Sequence, residues 1–118
     1  MRQGNVPPTS SSYFEEEVSL VEILNLQTSD TSTVTSVSDS DSNQTLLSAN
    51  TLRKMAVIHN DSSSILYIKF GATASSTDFT YRINPQGTLE IKNPVYRGRI
   101  DGIWSANSTG AALVTELT

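Results

Sequence analysis

Cysteine is absent from this chain of 118 residues. Its absence excludes a disulfide framework, thiolate metal sites and a cysteine nucleophile, and it fits folding in a reducing cytosol. Histidine occurs once, as His59. A lone imidazole with no second histidine and no serine nucleophile elbow points to a structural or turn role rather than to general-base or metal chemistry. No apolar run approaches the roughly 18 residues of a membrane span, and the opening MRQGNVPPTSSS lacks the apolar centre of a secretory signal, so a soluble product is expected. A glycine-rich phosphate loop and a nominated pair of carboxylates are missing too. The expectation is a protein that is not an enzyme, with no catalytic residue, cofactor or metal.

Positive charge is scarce in the first part of the chain. Residues 1–52 hold one base, Arg2, and seven acids, whereas 53–118 hold seven bases and five acids. An acidic leader disfavours phosphate tracking, and Lys54, Lys69, Arg82, Lys92, Arg97 and Arg99 alternate with apolar positions as solvated strand faces do. No nucleic-acid or membrane partner is expected.

Residues 1–27 read as an extended arm that begins with a Pro7-Pro8 pair. Ser12 and Glu15 have capping-box spacing, and Phe14, Val18, Val21 and Leu24 recur at helical intervals, which predicts a short helix over 13–26. Val18, Leu20, Leu24 and Leu26 also alternate as in a strand, so both readings stand. Residues 28–43 belong to a Ser/Thr-rich tract that reads as a linker, or as an edge strand through Thr33, Thr35 and Val37. The run Asp39-Ser40-Asp41-Ser42-Asn43 opens like a calcium loop, but Gln44 stands where glycine is required and Asn50 where the bidentate glutamate would be.

From residue 44 to 118 the text is strands. The alternation predicts Gln44 to Ala49, Met55 to Asn60, Ile65 to Phe70, Phe79 to Ile83, Thr88 to Lys92, Gly98 to Trp104 and Ala111 to Leu117, with 33–37 as an eighth. The central stretch Arg53 to Gly71 reads as a β-hairpin turning at Asn60 to Ser64. Pro85 and Gly87 place a β-turn at 84–87. Strands at short, regular spacing without crossover helices predict an all-β fold, an antiparallel β-sandwich of jelly-roll or Ig-like type with seven or eight short strands behind the arm. The expected core is Leu46 or Leu47, Val57, Ile58, Leu66, Ile68, Phe70, Phe79, Tyr81, Ile83, Leu89, Ile91, Ile100, Trp104, Leu113 and Val114. A core of that size supplies only about 3 to 5 kcal/mol, so association with other subunits, homo-oligomers included, is expected.

RKMAVIHNDSSSILYIKFGATAS, then YRINPQGT, YRGRIDGIWSAN and the closing ALVTEL resemble a recurrent pattern of small β-sandwich virion proteins of tailed bacteriophages. The resemblance covers about residues 50–117 and rests on strand and turn residues without an active-site signature. It implies a structural protein carried on the virion and made in the host cytoplasm, of capsid decoration or cement type. Its partners would be the major capsid protein or other virion subunits. The arm then becomes the attachment element, with Tyr13, Phe14, Val18, Leu20, Val21, Ile23 and Leu24 as candidate partner-binding residues. Two alternatives stay open: a neck or tail component, and a carbohydrate-binding module for host surface glycans stacking sugars on Trp104, Tyr67, Tyr81 and Tyr96.

Overall fold

The computed structural model describes residues 28–118. The helix expected over 13–26 and the seven candidate partner-binding residues lie outside the described residues. Eight strands follow in order: β1 (Ser32–Ser38), β2 (Gln44–Leu47), β3 (Met55–Asp61), β4 (Leu66–Phe70), β5 (Tyr81–Ile83), β6 (Thr88–Ile91), β7 (Ile100–Trp104) and β8 (Ala111–Leu117). They form two four-stranded sheets ordered β1-β8-β3-β6 and β2-β7-β4-β5, with every pairing antiparallel. Apart from β4 and β5, which are neighbours, each strand passes the chain to the opposite sheet. That order is the double Greek key of a jelly roll, which decides between the two sandwich types the alternation allowed.

Alternation then explains the interior. Ala56 and Ile58 of β3, Ala112 and Val114 of β8 and Ile91 of β6 face Leu66 and Ile68 of β4, Ile100 and Trp104 of β7, Leu46 of β2 and Ile83 of β5, all buried. Each large aliphatic side chain removed from water contributes about 1.5 to 3 kcal/mol. Gly102 lies on the same inward side of β7, where a Cβ would come within 2.8 Å of Leu46 Cδ1 and 3.1 Å of Leu66 Cδ1. The strand thus leaves room for its neighbours' side chains.

Several expectations need correction. The stretch from Arg53 to Gly71 is no hairpin: β3 pairs with β6 and β8, whereas β4 pairs with β5 and β7 in the other sheet. Each strand is central in its own sheet, and the two face one another across the core. The cause lies in the polar link, because Asn60 and Ser62 turn inward and bond the chain as it crosses. Val57 points to the outer side of β3, and the inward positions belong to Ala56 and Ile58. Phe79, Tyr81 and Leu113 are exposed rather than core residues, since β5 is a three-residue edge strand and Leu113 lies on the outer side of β8. Of the two readings of the Ser/Thr-rich tract, the edge strand is the one found: β1 forms the rim of the first sheet, so the sandwich begins at Ser32 rather than at Gln44.

Candidate interaction surface

The buried polar groups come first, because a site that does chemistry would be assembled from them. At one end of the sandwich the Arg53 side chain is fully buried. Its Nε donates to Glu116 Oε2 at 2.7 Å, Nη1 to the carbonyls of Tyr96 at 2.7 Å and Gly98 at 3.0 Å, and Nη2 to the carbonyl of Ser48 at 2.7 Å. The guanidinium fork is thereby used to fasten the 48–54 and 92–99 loops to β8.

At the opposite end, Asp39 accepts hydrogen bonds from the backbone N–H groups of Ser108 and Gly110 and from the Ser108 hydroxyl. The Ser108 hydroxyl, helped by those two amides and opposed by partial burial, holds the Asp39 carboxyl below its ordinary value. Asp41 N donates to Asn107 Oδ1. The Asp39 carboxylate and the Asp41 backbone N–H are therefore used to link the 39–43 and 105–110 loops. On the outward side of β7, fully buried Asp101 accepts from Arg99 Nε at 2.7 Å and from Asn43 Nδ2 at 2.9 Å, and Asn43 Oδ1 accepts from Ala74 N. The hydrogen bond and the charge of Asp101 raise the Arg99 pKa above its usual value. These groups hold loops together.

His59 sits on the outer side of β3 with its Nδ1 2.7 Å from Thr88 Oγ1, across the β3–β6 pair. Among the described residues no group of three or more His, Cys, Asp or Glu is placed to hold a metal ion.

The aromatic residues named for sugar stacking do not come together. Trp104 is buried, and its indole N–H is spent on Asn60 Oδ1. Tyr96 stacks on Phe70 with ring centroids 4.7 Å apart, while Tyr67 packs against Phe79 at 4.9 Å on the outer side of β4. Tyr81 stands alone of the four in being exposed.

The remaining surface feature is the outer face of the first sheet and its edge at β1. Registers across β1, β8 and β3 line up Ser32, Leu117 and Met55, then Val34, Thr115 and Val57, then Ser36, Leu113 and His59. Val34 is 65% exposed and Leu113 38%, and no formally charged residue lies on the β1 and β8 part of that face. Strand β1 itself, STVTSVS, carries no charge and no proline, and among the described residues nothing pairs with its outer edge. The sequence pattern puts Leu113 in the core and passes over Val34, though the alternation of β1 contains the signal for Val34. Comparison of the chain with protein-family models, with curated proteins and with solved structures finds no match in any of the three.

Proposed function

We propose that this chain is a structural virion protein of a tailed phage, a decoration or cement protein that binds the major capsid shell and stabilises it. The observation that carries the reading is how the polar interior is used. Arg53, Asp39, Asp101 and Asn60 are all committed to joining loops and sheets, which suits a rigid module whose business is contact. The resemblance of residues 50–117 to small virion proteins supplies the setting. Eight-stranded jelly rolls also occur in lectins and cupins, so the fold alone does not choose among these roles.

In this reading the sandwich sits over junctions between shell subunits. The leader lays Tyr13, Phe14, Val18, Leu20, Val21, Ile23 and Leu24 into a neighbouring surface. Each copy contributes modest affinity, and many tethered contacts together reinforce the shell. The test is a pair of binding measurements on shells stripped of the protein. Full-length chain restores full occupancy and resistance to pressure, whereas chain lacking residues 1–27 keeps its circular-dichroism spectrum and fails to bind. Truncated chain that decorates shells fully would rule out the arm mechanism. Absence of the chain from purified particles would rule out the virion reading altogether, and a copy number typical of a single ring would move it to the neck or tail.

A further inference from the structure

We infer that β1 is the contact through which two copies of this chain join, antiparallel and edge to edge about a twofold axis at Thr35, extending the first sheet from four strands to eight. The argument starts from the direction of the backbone groups. Thr118 N donates to Thr31 O and Asp39 N to Gly110 O, at the two ends of the β1–β8 ladder. In an antiparallel pair the bonded residues alternate, so Thr33, Thr35 and Val37 also direct their N–H and C=O groups at β8. Ser32, Val34, Ser36 and Ser38 direct theirs away from the sheet, where no described strand receives them.

The other three edges are each blunted. Strand β5 has three residues, β2 has four and a register shift between Thr45 and Leu47, and β6 has four with Glu90 in it and Lys92 just beyond. Short, bulged or charged edges resist pairing. Strand β1 is seven residues long, uncharged and regular along its whole register.

The occupant follows from self-complementarity. A twofold axis at Thr35 sets Val34 opposite Ser36 of the second copy, Thr33 opposite Val37 and Ser32 opposite Ser38. Every such pair joins residues on the same face of the sheet, and the outward-pointing backbone groups of Ser32, Val34, Ser36 and Ser38 meet their counterparts as bonded pairs. The same patch serves both subunits, as a twofold interface requires. Exposed Val34 and Leu113 from the two copies then form one apolar strip across the joint. This dimer does not depend on the virion reading and is tested on the isolated full chain.

The experiment is sedimentation equilibrium on the full chain and two double variants. In V34K/S36K each new lysine stands opposite a lysine of the other copy, twice by symmetry, and the dimer dissociation constant rises about tenfold or more. In V34K/S36E each lysine faces a glutamate, and the constant stays within about threefold of the parent. The side chains of Val34 and Ser36 lie on the solvent face and their backbone groups do not join β8, so all three proteins keep the same Trp104 emission and, at concentrations dilute enough to be monomeric, the same unfolding midpoint. A full chain that is monomeric at every concentration, as it would be if residues 1–27 or another protein filled this edge, overturns the inference. So does a dimer that V34K/S36K leaves unchanged, or one that V34K/S36E breaks as badly as V34K/S36K does.

Discussion

Trp104 of β7 and Asn60 of β3 belong to opposite sheets, and the indole Nε1 donates to the amide Oδ1 at 3.1 Å with both side chains buried. The same amide donates through Nδ2 to the carbonyls of Ser64 at 2.7 Å and Ile83 at 3.1 Å, and its Oδ1 also accepts from the Ser62 hydroxyl. One side chain thus ties the two sheets to the crossing between β3 and β4. Asn60→Ala strands the indole N–H and takes one donor each from the Ser64 and Ile83 carbonyls, at about 1 to 3 kcal/mol for a buried polar group left unpaired, so a loss of about 3 kcal/mol is expected. Urea unfolding followed by Trp104 emission measures it, and a loss under about 1 kcal/mol would mean that the amide is dispensable.

Arg53→Ala removes four hydrogen bonds from one end of the sandwich and leaves Glu116 without its ion-pair partner. Breaking a buried charge pair from one side costs about 3 to 5 kcal/mol, and that is the drop expected in chemical denaturation. Arg53→Lys recovers only part of it, because a single ammonium cannot reach the carbonyls of Ser48, Tyr96 and Gly98 and the carboxylate of Glu116 in the fork geometry.

Asp39 supplies an acid-side dependence of stability. Its carboxyl titrates below its ordinary value in the folded chain, so the unfolded chain binds the proton more readily. The stabilisation is complete at neutral pH and is lost as pH falls below the ordinary value of 3.8 and on through the lower folded one. Thermal unfolding of Asp39→Asn should therefore lose less stability than the parent between pH 5 and about pH 3. Parallel curves for the two proteins would remove Asp39 from the account.

Two glycine substitutions should differ sharply. At Gly102 a Cβ meets side-chain atoms of Leu46 and Leu66, which can give by small shifts, so Gly102→Ala costs about 1 to 3 kcal/mol. At Gly110 it meets the Asp61 carbonyl oxygen at 2.5 Å and Ser62 Cα at 2.6 Å, which are backbone and cannot move without parting the 62–65 and 105–110 loops. Gly110→Ala is expected to be the more damaging by melting midpoint, and the reverse order would contradict the packing described for that end.

Strand positions were legible from residues 44 to 118 because side-chain alternation is a local property. Partnership was not. The segment Asn60 to Ser64 has the composition of a hairpin turn, and only the inward fold of the Asn60 amide shows that it carries the chain between sheets. Bulk misled the core assignment at β3 and β8, where Ala56 and Ala112 take the inward positions and the larger Val57 and Leu113 face outward. The role of Arg53 was out of reach, since its partners lie up to 63 residues away along the chain. The candidate residues from Tyr13 to Leu24 were chosen by pattern alone, whereas the edge at β1 emerged only once its neighbours were known.

The placement of β8 between β1 and β3 bears on how the polypeptide is made. Of the eight strands, β8 leaves the ribosome after the two that need it, so the first sheet stays open until Leu117 has emerged. Long-range pairings of this kind also fold slowly, because loop closure must precede the contacts that reward it. Nascent chains stalled before Ala111 should accordingly remain sensitive to protease, and a premature stop there would divide a sheet down its middle instead of trimming its rim.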